Sequence, residues 1–375
     1  MTITFFINYL NHHQLPIADE MYRLLGNEFR FVATYLRNPM ELKGGADYSS
    51  RPYCLLAAED KEACAEAKRL NKESDVCVYG AGNLDWERER ATTDKLSFEI
   101  SERWFKRGIL NLLSPRLIKW WWLYQTKLRF KPFYKLCASA FTASDCRRLL
   151  AFRDRCFKWG YFTKCPSFNR HKQKDVTNQI NIMWCARLIP WKHPEMAIEL
   201  ATKLRTAGYT FNMKLYGEGP LRNTINKMIS ARKLEDIVLL MGNVPNEEVQ
   251  HAMAKSDIFL FTSDRNEGWG AVANEAMSNG CCVVGSNQIG SVPFLIQDGK
   301  NGLIYKGQDI DSLYEKVTSL LDNPNKCWEM GQQAAIDLRD IWSPKVAAEN
   351  FLQLIKDLQS GHNTTSIQYG PCSKA

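Results

Sequence analysis

The sequence predicts an α/β protein made of two Rossmann-like parallel-sheet domains, and three observations carry that prediction. Strand-like apolar runs alternate with helical patterns along nearly the whole of the 375 residues. A polar stretch without apolar period, "PSFNRHKQKDVTNQ" (166–179), interrupts the alternation near the middle and reads as a linker. After it the strand runs are continuously apolar, as strands covered on both faces must be. The length also suits two cores better than one.

In the first half (1–165) the candidate strands are "TITFFINYL", "FRFVATYL", "SDVCVYG", "KLSFEIS", "KLCASAFTAS" and "CFKWGYF". Stretches with helical spacing, such as "PIADEMYRLLGN" and "DKEACAEAKRLNKE", separate them. In the second half (180–342) the order is "INIMWCARL", a helix from Pro194, "TFNMKLYG", a helix from Pro220, "DIVLLMG", a helix from Asn246, "DIFLFTS", a short helix after Gly270, "CCVVGSN" and "GLIY". Ser343 and Pro344 supply an N-cap and first-turn proline for a last helix over 343–360, and the polar tail 361–375 is expected to be loose.

The composition, 45% apolar and 24% charged, is that of a soluble globular chain, and no run of about eighteen apolar residues occurs. "MTITFFINYL" lacks the basic region and cleavage site of a signal peptide, so a cytoplasmic setting is expected. The twelve cysteines are scattered, without C-x-x-C, and several lie inside strand-like runs; free buried thiols follow.

Net charge is +8, but its placement is uneven: residues 101–170 hold 16 Lys/Arg against 3 Asp/Glu and so carry +13. Within that block, residues 103–135 have nine cations, no acid and four tryptophans. Such a segment suits an anionic membrane surface, or else an amphipathic helix whose cations are merely solvated; both stay open. No nucleic-acid motif accompanies the charge, so nucleic acid is not expected as a partner.

Parallel sheets of this type bind ligands beyond the carboxyl ends of their strands. There the second half offers Arg187 and Lys192, the turn Gly217-Glu218-Gly219-Pro220, the loop Gly242-Asn243-Val244-Pro245, and "NEGWGAVANEAMSNG" with Glu267, Gly268, Trp269, Gly270 and Glu275. Cations, close-approaching glycine backbone and a helix N-terminus are the parts of a phosphate site. Neither G-x-x-x-x-G-K-[ST] nor a G-x-G-x-x-G after the first strand of either half is present. A nucleotide is implied, held in some other way.

The blocks "ARLIPWKHPEMAI", "LYGEGPLRNTI", "MGNVPNEEV", "SDIFLFTSDRNEGWGAVANEAMSNGCCVVGS" and "FLIQDGKNGLIY" resemble, in order and spacing, the C-terminal domain of the family 4 glycosyltransferases, retaining enzymes of the GT-B fold. The resemblance implies two domains facing a central cleft, with the last helix crossing back to the first domain. It implies that Arg187 and Lys192 bind the donor diphosphate, that Glu267 lies beside the transferred sugar, and that Glu275 holds the ribose. Backbone from Gly268 through Ala271 to Val272, with Gly217, Gly219 and Val244, would complete the nucleotide-sugar site, and Trp269 would either wall the sugar pocket or pack beneath the loop.

Metal and cofactor are not expected beyond the donor itself, because two cations and a helix end can neutralise the phosphates. The single D-x-D, Asp309 to Asp311, reads as an N-cap and first-turn acid. Glu20 and Glu28 repeat the spacing of Glu267 and Glu275 without flanking strand or glycines, and read as ordinary surface residues.

The first half departs from the family pattern: "NYLNHHQLP" stands where a glycine pair is usual, and His12 and His13 become candidates for contact with acceptor or phosphate. The expected activity is hexosyl transfer from a UDP- or GDP-sugar to a saccharide or lipid-linked acceptor, in bacterial surface polysaccharide synthesis. A sugar-nucleotide epimerase, a phosphorylase or a catalytically silent binding scaffold are the alternatives.

Overall fold

The computed structural model describes residues 1–36, 50–80, 82–164, 179–361 and 364–375. The chain divides into two compact units, Met1–Thr163 with Ser343–Ala375, and Lys164–Trp342. The linker stretch 166–179 falls, apart from Gln179, outside the described residues.

The first unit holds a seven-stranded, all-parallel sheet of β1 (Ile3–Ile7), β2 (Phe29–Ala33), β3 (Cys54–Leu55), β4 (Val76–Gly80), β5 (Leu96–Ser101), β6 (Phe133–Cys137) and β7 (Cys156–Lys158). Their order is β3-β2-β1-β4-β5-β6-β7, so the winding direction reverses between β1 and β4. All residues of β1 and β4 are buried, which explains their uninterrupted apolar character. Two-residue β3 is too short to leave a periodic signal in the sequence.

The helix Pro344–Gln359 is part of this unit. Ser343 Oγ accepts from the Val346 N–H at 3.3 Å and Pro344 occupies the first turn, as the sequence predicts. Phe351 sets its ring edge-on to Phe5 (centroids 5.9 Å apart) and Phe98 (5.2 Å), so the last helix covers the first sheet.

The tail is a correction. Instead of being loose, its end runs along β7: Cys372 N–H donates to Lys158 O (2.7 Å), Lys158 N–H to Ser373 O (2.8 Å) and Ala375 N–H to Cys156 O (3.1 Å). Cys372 is wholly buried. An edge strand offers unpaired backbone groups, and a polar tail can satisfy them without apolar periodicity.

The second unit holds β8 (Ile180–Cys185), β9 (Phe211–Tyr216), β10 (Val238–Gly242), β11 (Ile258–Phe261), β12 (Cys282–Ser286) and β13 (Gly302–Tyr305), all parallel in the order β10-β9-β8-β11-β12-β13. Central β11 and β12 are buried throughout, whereas edge strand β10 exposes Leu239 and Met241. Helix Pro194–Thr206 packs with Ile310–Leu321 and Arg222–Ala231, while Pro324–Asp340 packs with Val272–Ser278 and β12. The winding reverses between β8 and β11, and the loops beyond that pair carry the candidate site.

Candidate functional site

The site is assembled from four loops at the carboxyl ends of β8, β9, β10 and β11, and close backbone packing locks them together. Gly217, at φ +126°, lies so near Ala186 that an added Cβ would fall 1.9 Å from its carbonyl oxygen. Its N–H donates to Gly242 O at 2.7 Å, which joins the loops after β8, β9 and β10. Gly270, at φ +82°, is equally constrained, since a Cβ there would sit 2.2 Å from Phe261 Cζ. A side chain at Gly217 would push the loops after β8 and β9 apart, and one at Gly270 would displace the Phe261 ring.

The loop after β8 is tied to the loop after β11 at several points. Thr262 Oγ1 accepts from Trp184 Nε1 (2.8 Å) and donates to Lys192 O (2.7 Å), and Asp264 N–H donates to Trp191 O (3.0 Å). Lys192 Nζ forms an ion pair with the carboxylate of Glu267, and both side chains are largely shielded. Arg187, five residues before Lys192, has its guanidinium 5.9 Å from the centre of the Trp191 ring.

His193, which sequence reasoning passed over, is the hinge of this arrangement. It is left-handed (φ +49°, ψ +55°), a conformation costly for a residue other than glycine. Its Nδ1 lies 2.6 Å from Glu195 Oε1 and its Nε2 3.4 Å from Asp264 Oδ2, so the imidazole bridges the two loops. The bond to Glu195 raises its pKa above the usual imidazole value. A histidine flanked by lysine and proline carries no motif that would have singled it out.

Glu275 lies in the first turn of the two-turn helix Val272–Ser278, and burial raises its pKa to about 7. Trp269 is corrected as a ligand-facing side chain: it has no exposed surface, its Nε1–H donates to Asn274 Oδ1 at 2.9 Å, and its ring lies near Trp342 (5.8 Å) and Phe294 (6.2 Å). Of the two sequence alternatives, packing beneath the loop is the observed one. Val244 follows Gly242 in the loop that reaches Glu218, whose Oε1 would be 3.0 Å from a Cβ at position 242.

Asp309 caps its helix by accepting the Ser312 N–H at 3.0 Å, and Asp311 pairs with Lys203 at 2.8 Å. Glu20 pairs with Arg23 on a surface helix, 2.8 Å away.

The other unit has its own cavity of about 500 Å³ beyond β1, β4, β5 and β6. His13 lines it, stacked on Tyr161 and adjacent to His12, with ring centroids 5.9 and 3.7 Å apart. Burial and the neighbouring His12 lower its pKa to about 3, so its ring is neutral and offers a hydrogen bond, not a charge, to whatever occupies the cavity. His12 is exposed and does not line the cavity.

At the cavity floor Lys135 and Glu99 form a buried ion pair at 3.0 Å, with Lys135 Nζ also 4.5 Å from the Trp104 ring centre. Glu87 lies among them with no exposed surface, and desolvation pushes its pKa well above the usual carboxylate range. The sequence hides this cluster, because its members come from four separate elements.

The two parallel-sheet units define the GT-B class of fold. Residues 167–337 match the family model described as "Glycosyl transferases group 1". The chain is 27% identical over 180 residues to a GDP-mannose-dependent alpha-(1-6)-phosphatidylinositol monomannoside mannosyltransferase of Mycolicibacterium smegmatis, covering 46% of this chain and 47% of that protein. It is 31% identical over 155 residues to a putative colanic acid biosynthesis glycosyltransferase of Salmonella typhimurium, covering 40% of this chain and 38% of that protein. The chain thus spans less than half the length of these curated relatives. Among solved structures, Anabaena HepE in complex with UDP and glucose matches with a TM-score of 0.66 at 14% identity, over 96% of this chain and all of the other. Family model, relatives and fold together support a place in the glycosyltransferase superfamily.

Proposed function

We propose that the chain is a retaining glycosyltransferase that moves a hexose from a UDP- or GDP-linked donor to a saccharide or lipid-linked acceptor, in the synthesis of a bacterial surface polysaccharide. The observation that carries this reading is the Lys192–Glu267 pair, which sets a cation and a carboxylate acceptor for sugar hydroxyls side by side at the strand switch point. The match to group 1 glycosyl transferases covers all of these residues.

In this reading Arg187 and Lys192 bind the diphosphate and stabilise it as it leaves. Glu267 accepts hydrogen bonds from the sugar hydroxyls. Backbone N–H groups from Gly268 to Val272 face sugar and phosphate, Glu275 holds the ribose, and Gly217, Gly219 and Val244 form the nucleotide wall. The leaving phosphate oxygen takes the proton of the acceptor hydroxyl as that oxygen bonds the anomeric carbon on the same face, so configuration is retained. Catalysis is then charge stabilisation by groups already in place, without metal or further cofactor. The enzyme works at the cytoplasmic side of the membrane, where nucleotide sugars are available.

A thermal-shift panel of UDP, GDP, ADP and their sugar conjugates tests the reading. Stabilisation by one nucleotide and more by its sugar conjugate is expected; no response to any of them overturns it. The anomeric configuration of the product, read by NMR, tests retention, and activity in EDTA tests the metal-free mechanism.

A further inference from the structure

The basic, Trp-rich segment of the first unit is not used by the donor site, and the structure divides it into inward and outward faces. Its ends turn inward: Lys135 is buried against Glu99, and Arg103 lies against buried Asp145 and over the Phe141 ring. The central part does not. Of the seventeen exposed large apolar side chains among the described residues, eight lie between positions 109 and 130, a concentration that scattered surface exposure does not produce.

The periodicity explains how one segment serves two sides. Gly108–Leu113 is a 3-10 helix, in which residues three apart share a face. Asn111 and Ser114 line the 500 Å³ cavity, and the pairs Ile109/Leu112 and Leu110/Leu113 fall on the other faces, exposed to solvent (Ile109 81%, Leu113 75%). The helix Pro115–Leu123 continues the division. Leu117 and Trp120 line the cavity together with the exposed Arg116 at its mouth, while Ile118, Lys119 and Trp122 are exposed and do not line it.

Exposed Arg107, Lys119, Lys127 and Arg129 are interleaved with these apolar residues, and the segment has no acid. No helix among the described residues is long and apolar enough to cross a membrane. An apolar stripe edged with cations is complementary to an anionic phospholipid surface, where the rings enter the headgroup layer and the cations meet phosphate. A protein partner of matching shape would need no such uniform charge.

We propose that residues 107–130 dock the first unit on an anionic phospholipid bilayer, and that the inner face of the same segment is the wall of the acceptor cavity, so that the acceptor is a membrane-borne amphiphile. The second clause rests on the glycosyltransferase reading; the first does not. Docking through this wall puts the cavity lining and the lipid headgroups in one layer, which spares the acceptor from leaving the bilayer.

Co-sedimentation of the full chain with vesicles tests this, comparing phosphatidylcholine alone with phosphatidylcholine containing about a third phosphatidylglycerol. The chain should pellet with the anionic vesicles and be released by high salt. The double variant Ile109→Ser/Leu113→Ser and the charge reversal Lys119→Glu/Lys127→Glu should each lower partition by about tenfold or more, with melting temperature and nucleotide-induced stabilisation unchanged. Equal pelleting with both vesicles, unchanged binding by both variants, or self-association through the stripe without vesicle binding would overturn the docking surface. A diazirine placed on the vesicle phospholipid headgroup should label the Lys106–Leu117 wall by mass spectrometry, and labelling confined to other surfaces would overturn the link to the cavity. Because nucleotide response is read in the same samples, failure of docking and failure of the transferase reading are distinguishable.

Discussion

Trp269 donates its indole N–H to Asn274 Oδ1 at 2.9 Å, and both side chains are fully buried. The bond spans five residues and ties the start of the Glu267 loop to the helix that carries Glu275. Trp269 is therefore the keel of the loop rather than a wall of the sugar pocket. Trp269→Phe keeps most of the apolar burial but removes the donor, and should cost about 1–3 kcal/mol in chemical denaturation. The preference among donor sugars should not move. A changed sugar preference at unchanged stability would show that the ring faces the ligand after all.

Lys192 is ion-paired with Glu267; under the proposed function it supplies the charge that meets the developing phosphate, with the carboxylate fixed beside it. Lys192→Gln should lower turnover by about 10²–10³, the usual loss for one preorganised electrostatic contact. Glu267→Ala should act differently, by erasing the extra stabilisation that a nucleotide sugar gives over its bare nucleotide. Calorimetric titration of both ligands separates the two effects.

Glu275 is held near pH 7 by desolvation, so the folded protein binds a proton there that the unfolded chain releases near pH 4.5. Its contribution to stability falls as pH rises from the ordinary carboxylate range to about 7, and is level beyond. Glu275→Gln should thus be more stable than the parent above pH 7, by at most about 3 kcal/mol, while binding nucleotide more weakly. Nucleotide affinity of the parent should rise between pH 6 and 8, as the ionised carboxylate becomes the better acceptor for ribose hydroxyls, and the variant should show no such rise. A destabilised variant would mean that Glu275 is structural.

Periodicity made most of the fold legible. Apolar runs marked β8 and the wholly buried β11 and β12, and the Ser343-Pro344 pair marked the last helix. The strand-end positions of Arg187, Lys192, Glu267 and the loop glycines were legible because cations and glycines cluster directly after apolar runs. Three features had no local signal. The direction of the Trp269 ring depends on Trp342, more than seventy positions away. The Glu99–Lys135 pair is a meeting of two neighbouring strands. The tail pairs with β7 through its backbone, which composition does not encode.

That tail leads to a prediction of its own. Ending the chain at Gly361 removes the backbone partners of Cys156 and Lys158 and uncovers the edge of β7. Unpaired parallel edges recruit other chains. The truncated protein should have a lower melting temperature and show self-association in size-exclusion chromatography, while a chain shortened only by Ala375, which loses the single bond to Cys156 O and keeps both bonds to Lys158, should fall between the two.

His193 holds its strained backbone because its ring bridges Glu195 and Asp264, and these two effects can be separated. His193→Gly relieves the left-handed conformation but cuts the bridge; His193→Gln keeps the strain and cannot carry charge. The folded pKa is raised, so the stabilisation from protonated His193 is complete below the ordinary imidazole value of about 6.5 and is lost as pH rises through the higher folded value. The melting temperature of the parent relative to His193→Gln should accordingly be highest at pH 6 and decline at alkaline pH. In His193→Gly, stability should be close to the parent, whereas turnover should fall through kcat more than KM, because the loops bearing Lys192 and Glu267 lose their registry. A parent and glycine variant with equal kcat would remove His193 from any positioning role.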